Sequence, residues 1–212
     1  MKKKNVFYSG VLFLVIFILW TILVKFIDVC PIGPNGSSVG FAHINGSVRD
    51  LFGTNMGLYN ITDWLSLIPL GLVAGFGLLG FFQLIKRKSL KKVDYSILVL
   101  GGFYIIVFST FILFENVVIN YRPILINGIL EVSYPSSTTM LSTCVLPTAA
   151  MQFNSRIKNK LFRNCICTAL YLFTLFMVFG RLISGVHWFS DIIGGILLSL
   201  GLILIYKTVC VK

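Results

Sequence analysis

The sequence has little charge, only two histidines and no cysteine pair of the kind that holds a metal ion. Charged residues make up 12% of the 212 positions, about half of their share in soluble domains, which argues against an ordinary soluble protein. The five cysteines are scattered without a CxxC pair. This pattern predicts neither a disulfide framework nor a zinc site, and the cysteines are interpreted as small apolar residues.

Long apolar runs take the place of the missing charge. The composition is 57% hydrophobic with a mean hydropathy of +0.91, and several runs are long enough to cross a bilayer core of about 30 Å. We therefore predict an all-α polytopic membrane protein, a six-transmembrane-helix bundle forming one membrane-embedded domain over residues 1–212. Residues 27–62 are predicted to be a loop rich in turn residues, within which residues 48–59 fit a short interfacial segment. The predicted spans are 7–25, 64–85, 95–114, a short and rather polar 136–153, 165–183 and 188–206.

The basic residues indicate how the chain crosses the membrane. The net charge of +11 would also fit a nucleic-acid binder, but the basic residues flank the apolar runs in short clusters, so we expect no nucleic-acid partner. Cytoplasmic loops collect lysine and arginine, and all but four of the 18 basic residues fall on one side. Both termini are therefore predicted to be cytoplasmic. The four basic residues on the outer side are Lys25, Arg49, Arg122 and Arg181.

An arginine, a histidine and an aspartate lie together where the fifth predicted span ends and the sixth begins. His187 and Asp191 are four residues apart and share one face if a helix starts near Val186. The carboxylate would then accept a proton from one ring nitrogen and leave the other free to attack or to bind. Arg181 offers forked donors suited to a phosphate. The alternative interpretation is a snorkelling arginine beside an interfacial His–Asp pair.

Two further segments on the same outer side complete a pattern. One ends in Arg122-Pro123, and the other reads Tyr134-Pro135-Ser136-Ser137-Thr138. With these segments in this order, the chain resembles the type 2 phosphatidic acid phosphatase family, whose motifs are Lys-x6-Arg-Pro, Pro-Ser-x-His and Ser-Arg-x5-His-x3-Asp. The positions that match these motifs are Arg122, Pro123, Pro135, Ser136, Arg181, His187 and Asp191.

The resemblance implies a reaction and a role for each matching residue. His187 would attack phosphorus and form a phosphohistidine, and Asp191 would orient His187 and stabilise its positive charge. Arg122 and Arg181 would hold the phosphoryl oxygens as negative charge spreads onto them. No metal and no other cofactor is expected. If the fourth helix begins at the second motif, further phosphate donors would be Ser136 and the backbone amides near Ser137.

Three positions depart from the family pattern. Glu115 stands where the family has a phosphate-binding lysine, and Gly180 stands where it has a serine. Thr138 replaces the histidine that protonates the leaving oxygen, and a threonine hydroxyl is too weak an acid for that task. An ionised Glu115 would also repel a phosphate, unless it pairs with one of the two arginines.

Three interpretations of the missing histidine stay open. In the first, the substrate is a diphosphate lipid, because a phosphate leaving group needs little protonation. In the second, another side chain supplies the proton, either Glu115 or His43, although His43 also reads as an ordinary loop histidine. In the third, the protein binds a phosphorylated lipid without hydrolysing it.

The expected partner is a phosphorylated membrane lipid, met at the outer face of the plasma membrane. The resemblance implies phosphatidate, phosphatidylglycerol phosphate or a polyprenyl diphosphate such as undecaprenyl diphosphate, and the leaving-group reasoning favours the diphosphate. A transporter is the rival class, but transporters usually place their charges near the midplane and often in repeated halves. Here the charges gather at one face, and we find no internal repeat.

Overall fold

Residues 3–210 are described by the computed structural model and consist of helices joined by loops. Isolated antiparallel bridges are present, but this range contains no strand, so the predicted all-α class is confirmed. Lys2 and Lys212, counted above among the basic residues, lie outside the described range. The α-helices are α1 (Lys3–Phe26), α2 (Ala42–Phe52), α3 (Met56–Leu65), α4 (Leu67–Arg87), α5 (Tyr95–Asn116), α6 (Ser137–Arg156), α7 (Lys160–Ile183) and α8 (Phe189–Cys210).

Five segments are long and apolar enough to cross a membrane: α1, α3 together with α4, α5, α7 and α8. The prediction of a multi-pass membrane protein is therefore confirmed. The fourth predicted span corresponds to α6, which has the length of a span but a more polar sequence. Most of α6 is buried among the other helices, so its polar side chains face protein rather than lipid. The count of six spans depends on α6 and stays a prediction.

Two helices begin earlier than the apolar runs from which they were predicted. Helix α1 starts at Lys3 rather than at residue 7, and α7 starts at Lys160 rather than at residue 165. Long basic side chains can keep their stems on apolar surface while their charged ends reach water, so they extend a membrane helix at its ends.

The interpretation of residues 27–62 as a loop is wrong, because this region contains α2 and most of α3. The turn residues cluster between the helices instead. The Asn55 side chain caps α3 by accepting a hydrogen bond from the backbone N–H of Leu58 at 2.9 Å. Helix α2 packs against α8, and α3 packs against α7.

The loop that precedes α6 is anchored in the apolar core. The Tyr134 ring stacks on Phe17 of α1 and meets Phe114 of α5 edge-on. The Tyr134 hydroxyl lies 2.7 Å from Oγ1 of Thr21, and burial raises the pKa of Tyr134. The ring contacts and the hydrogen-bonded hydroxyl of Tyr134 fix the position from which α6 begins. The candidate site lies at that point.

Asp94 is the one acidic residue predicted on the basic, inner side, and it is paired there. Its carboxylate lies 2.8 Å from Nη1 of Arg87 and 3.1 Å from Nη1 of Arg156. The hydrogen bond from Arg87 lowers the pKa of Asp94, and bonds from Gln83 and Arg156 act in the same direction. Asp94 therefore ties the start of α5 to the C-terminal ends of α4 and α6, at the opposite end of the bundle from the site.

Candidate active site

His187 lies in the turn between α7 and α8, with its side chain buried. Helix α8 begins at Phe189, so His187 precedes the helix rather than lying within it. The chain leaves α7 through Gly185, whose φ of +66° favours glycine. The His187 and Asp191 side chains are nonetheless close, with 3.8 Å between Nδ1 and Oδ2.

A backbone carbonyl orients the His187 ring. Nδ1 lies 3.1 Å from the carbonyl oxygen of Ser133, and because a carbonyl only accepts, Nδ1 carries the proton of the neutral ring. Nε2 is left with the unshared electron pair that a nucleophile needs. Burial lowers the pKa of His187 well below 6.5, and the charges of Arg122 and Arg181 lower it further against the opposing bond to Ser133. The ring is therefore neutral near pH 7.

Asp191 fixes the start of α8. Its Oδ2 accepts a hydrogen bond from the backbone N–H of Trp188 at 2.9 Å, as in a capping box, and its Oδ1 accepts one from Nδ2 of Asn120 at 3.3 Å. Its backbone carbonyl accepts the N–H of Ser136 at 3.1 Å. The carboxyl group thus lies beside His187 without being the direct acceptor for the ring.

The loop between α5 and α6 folds back on itself and thereby aims Arg122. The Arg122 N–H donates to the carbonyl of Glu131 at 2.9 Å, and the Ser133 N–H donates to the carbonyl of Asn120 at 3.0 Å. Nε of Arg122 lies 2.9 Å from Oε2 of Glu131. Nη1 of Arg122 lies 3.4 Å from Nε2 of His187. One hairpin therefore places both the carbonyl that orients the ring and the arginine whose N–H donates to Nε2.

Arg181 lies in the last turn of α7 and is only 2% exposed. Its Nη2 donates to Oδ1 of Asp63 at 2.9 Å and to Oγ1 of Thr138 at 2.6 Å. Its guanidinium carbon lies 4.8 Å from the ring centre of Tyr59. Within residues 3–210, Nε and Nη1 of Arg181 are buried without a hydrogen-bond partner. Buried donors of this kind are costly unless something accepts from them, so the arginine is arranged to receive an oxyanion.

Helix α6 begins at Ser137, with Ser136 as the residue that precedes its first turn. The first amide groups of a helix lack partners within the helix and carry a partial positive charge, which favours anions. The Ser136 hydroxyl is buried and, among the described residues, has no hydrogen-bond partner. The second motif therefore offers donors at the place where the arginines converge.

Two clefts meet at this point. One is lined by the polar groups of His187, Glu115 and Ser133 together with Ser137. The other is a larger groove between α4, α5 and α6 that contains Asp63, Ser137 and Thr138 at its polar end. Ser137 borders both clefts, so the two clefts adjoin at the start of α6.

The two alternative proton donors are placed differently. Glu115 ends α5 and borders the cleft of His187, but in residues 3–210 the carboxylates paired with the two arginines are Glu131 and Asp63. His43 lies in α2 with its side chain 86% exposed, and its Nδ1 is 2.6 Å from Oδ1 of Asp28. The backbone and side-chain hydrogen bonds with His43 lower the pKa of Asp28. His43 borders neither cleft.

Several residues of the site, among them Asn120, Ser133 and Asp63, have no counterpart among those singled out in the sequence. Asn120 and Ser133 hold Asp191 and His187, and Asp63 pairs with Arg181 across 118 positions of sequence. Ser133 acts through its backbone carbonyl, which leaves no residue-type signal. One feature of the sequence could have drawn attention to Asp63, because an acidic residue there is flanked by apolar segments.

Comparison with known proteins gives this geometry a family. The model of the PAP2 superfamily matches residues 108–211, which include all three motif segments. The matched region belongs to the PAP2 superfamily. No curated protein matches the sequence.

The whole PAP2 fold can be compared with one solved structure. The crystal structure of the first transmembrane PAP2-type phosphatidylglycerolphosphate phosphatase from Bacillus subtilis superimposes with a TM-score of 0.59. The two sequences are 17% identical, and the match covers 95% of this chain and 94% of that one. At this identity the likeness establishes the fold. Together with the family model it supports a membrane-bound lipid phosphate phosphatase.

Proposed function

We propose that this PAP2 protein is an integral membrane phosphatase that removes phosphate from a lipid phosphate or diphosphate monoester through a phosphohistidine intermediate. The observation that carries the proposal is the unprotonated Nε2 of His187, which lies 3.4 Å from Nη1 of Arg122. A buried, neutral imidazole beside a fixed cation is suited to attack an anionic phosphorus centre.

The proposed reaction has two steps. His187 Nε2 attacks phosphorus, the bond from phosphorus to the leaving oxygen breaks, and Arg122, Arg181 and the α6 N-terminus stabilise the charge on the remaining oxygens. Water then attacks the phosphohistidine and releases inorganic phosphate. The Asp191 carboxylate stabilises the ring while it carries the positive charge of the intermediate.

A lipid substrate fits the surroundings of the site. The groove that contains Asp63 and Thr138 at its polar end continues along an apolar wall within the membrane-spanning part of the bundle. Burial of a lipid tail contributes about 0.8 kcal/mol per CH₂ group. The apolar residues of the groove are Leu70, Val107, Phe108, Phe111, Met140 and Leu141.

The proposal includes a location and an orientation. Helix α6 serves as the sixth span, both termini are cytoplasmic, and the site faces the outside of the plasma membrane. The clusters of lysine and arginine at one end of the bundle support this orientation. The single domain over residues 1–212 is part of the same proposal. The substrates to be distinguished are phosphatidate, phosphatidylglycerol phosphate and undecaprenyl diphosphate.

A second candidate function is binding of a phosphorylated lipid without turnover. One observation favours it: each arginine of the site is already paired with a carboxylate, Arg122 with Glu131 and Arg181 with Asp63. A resident carboxylate competes with a phosphate for the same donors. Thr138 also favours binding without turnover, because it cannot protonate a leaving oxygen.

Phosphate release by purified protein in detergent separates the two functions. The three lipids are offered in parallel to the wild type, to His187→Ala and to His43→Ala, which removes the other histidine away from both clefts. Release that disappears in His187→Ala and persists in His43→Ala supports a histidine-dependent phosphatase. A folded wild type that binds these lipids but releases phosphate from none of them would support the binding function instead.

A further inference from the structure

Asp63 is a charged group at the site that the proposed reaction does not use. Its Oδ1 and the Thr138 Oγ1 both accept hydrogen bonds from the same nitrogen, Nη2 of Arg181, at 2.9 and 2.6 Å. The carboxylate therefore lies beside the position where the motif has its histidine. Asp63 is 55% exposed while Arg181 is buried, so the carboxylate is open to water on its other side.

The packing of α3 explains how Asp63 comes to lie there. A Cβ atom on Gly180 would be 2.7 Å from Cγ2 of Thr62, so a serine at this position would push α3 away. A Cβ atom on Gly185 would overlap the backbone carbonyl of Gly53. The two departures from the motifs are thus connected: the glycine at 180 lets α3 approach, and α3 brings a carboxylate to the neighbourhood of Thr138.

The groove of Asp63 adjoins the cleft of His187 at the start of α6. In a displacement at phosphorus the attacking and leaving groups lie roughly in line on opposite sides of phosphorus. Ser137 at the start of α6 borders the cleft of His187 and the groove of Asp63. Glu115 borders the cleft of His187 itself, which is the side of the nucleophile rather than that of the leaving group.

We propose that Asp63 is the acid–base residue of this site and does the work of the histidine that Thr138 replaces. The inference rests on the proposed phosphatase function. In the first step the carboxyl of Asp63 gives its proton to the leaving oxygen as the phosphorus–oxygen bond breaks and the phosphorus–Nε2 bond forms. In the second step the Asp63 carboxylate takes a proton from the attacking water, the phosphorus–nitrogen bond breaks, and His187 is regenerated.

Arg181 can hold Asp63 and a phosphate at the same time, because Asp63 accepts from its Nη2 only. The phosphoryl oxygens also draw on the charge of Arg181 through Nε and Nη1, which have no partner within the described residues. The exposed side of Asp63 admits the water of the second step.

The role of Asp63 widens the substrate class. With an acid in place, a poor leaving group such as the alkoxide of a lipid phosphate monoester can be protonated as it departs. The protein would then hydrolyse phosphate monoesters such as phosphatidate, and the absence of the histidine would not confine it to diphosphates.

The test compares two leaving groups in one set of variants. Asp63→Asn keeps an oxygen that can accept from Arg181 but has no proton to give, and Asp50→Asn, an exposed residue of α2, is the matched control. We expect Asp63→Asn to lower kcat on dioleoyl phosphatidate by about 100-fold or more, and on p-nitrophenyl phosphate by less than about 10-fold. The p-nitrophenolate ion leaves with little protonation, so loss of an acid costs it less. Asp50→Asn should alter neither rate.

Two other results for Asp63→Asn would overturn the inference. Equal losses on both substrates would mean that Asp63 only positions Arg181, and a gain in rate would mean that it obstructs the site. Asp63→Ser, which truncates the carboxyl, repeats the comparison in case the amide disturbs folding, and Asp63→Glu should keep the ratio of the two rates near that of the wild type. A wild type that is inactive on both substrates would contradict the proposed phosphatase function itself. If the wild type is active and depends on His187, but Asp63→Asn leaves the ratio of the two substrate rates unchanged, only the role of Asp63 is contradicted.

Discussion

Nη1 of Arg122 lies 3.4 Å from Nε2 of His187, while the other ring nitrogen donates to the carbonyl of Ser133. A cation at this distance disfavours protonation of the ring before substrate arrives. The same cation stabilises the phosphoryl oxygens after it arrives. One arginine thus serves both states, and this double use makes the pH dependence of the protein informative.

The first prediction concerns the acid limb of the pH profile. Because burial and the two arginines lower the pKa of His187 well below 6.5, the ring stays neutral and reactive as the pH falls through 6.5. We expect kcat/KM to hold its value at pH 6 and to decline only at lower pH. Arg122→Gln should move this limb to higher pH, because a positive charge beside the ring is removed, and should lower the maximum rate as well. A wild-type limb at or above pH 6.5 would contradict the neutral ring.

The second prediction separates the two contributions of Asp191. Asp191→Asn keeps a side-chain oxygen for the Trp188 N–H or for Asn120, so the start of α8 should persist. It removes the charge that stabilises the phosphohistidine, so kcat should fall by about 10-fold or more. Asp191→Ala should lose activity and also about 1 kcal/mol of stability, as expected for a lost helix cap. Thermal unfolding in detergent and phosphate release measure the two effects. Equal stability of the two variants would exclude the capping role.

The third prediction concerns the contact of α3 with α7. Gly180→Ala places a Cβ 2.7 Å from Thr62, and overpacking of this kind costs about 1–3 kcal/mol. Gly101→Ala in α5 is the control, because a Cβ there meets nothing within 4 Å and alanine favours the helix. Thermal unfolding should show a lower midpoint for Gly180→Ala and an unchanged or higher midpoint for Gly101→Ala. An unaltered midpoint in both would mean that α3 yields without cost.

The fourth prediction tests the orientation in the membrane. Asn127 lies at the tip of the loop between α5 and α6, and Ser89 lies in the loop between α4 and α5. Single cysteines at these positions, in a chain whose own cysteines are replaced, would be exposed on opposite sides. In intact cells a maleimide that does not cross membranes should label Asn127→Cys and spare Ser89→Cys. The reverse pattern would place the site on the cytoplasmic side.

These features differ in how far the sequence reveals them. Arg181, His187 and Asp191 could be identified because their spacing carries the chemistry and their side chains perform it. The carbonyl that orients His187 could not be identified, because any residue at position 133 provides one. Asp63 was missed because its partner lies 118 positions away, and only the packing of α3 brings them together. The polar sequence of α6 weakens its signal as a span for a related reason, since its neighbours rather than lipid surround it.

The last prediction joins Asp63 to the residue whose loss it would compensate. Thr138→His introduces the histidine of the second motif but removes the hydroxyl that accepts from Arg181 at 2.6 Å. With Asp63 present, we expect it to change phosphatidate hydrolysis by less than about 10-fold, because an acid is already available. In Asp63→Asn the same substitution should raise the rate at least 10-fold. Residues that share one task show such non-additivity, and a double-mutant cycle measures it directly. Additive effects of the two substitutions would mean that Asp63 and the motif histidine do different work.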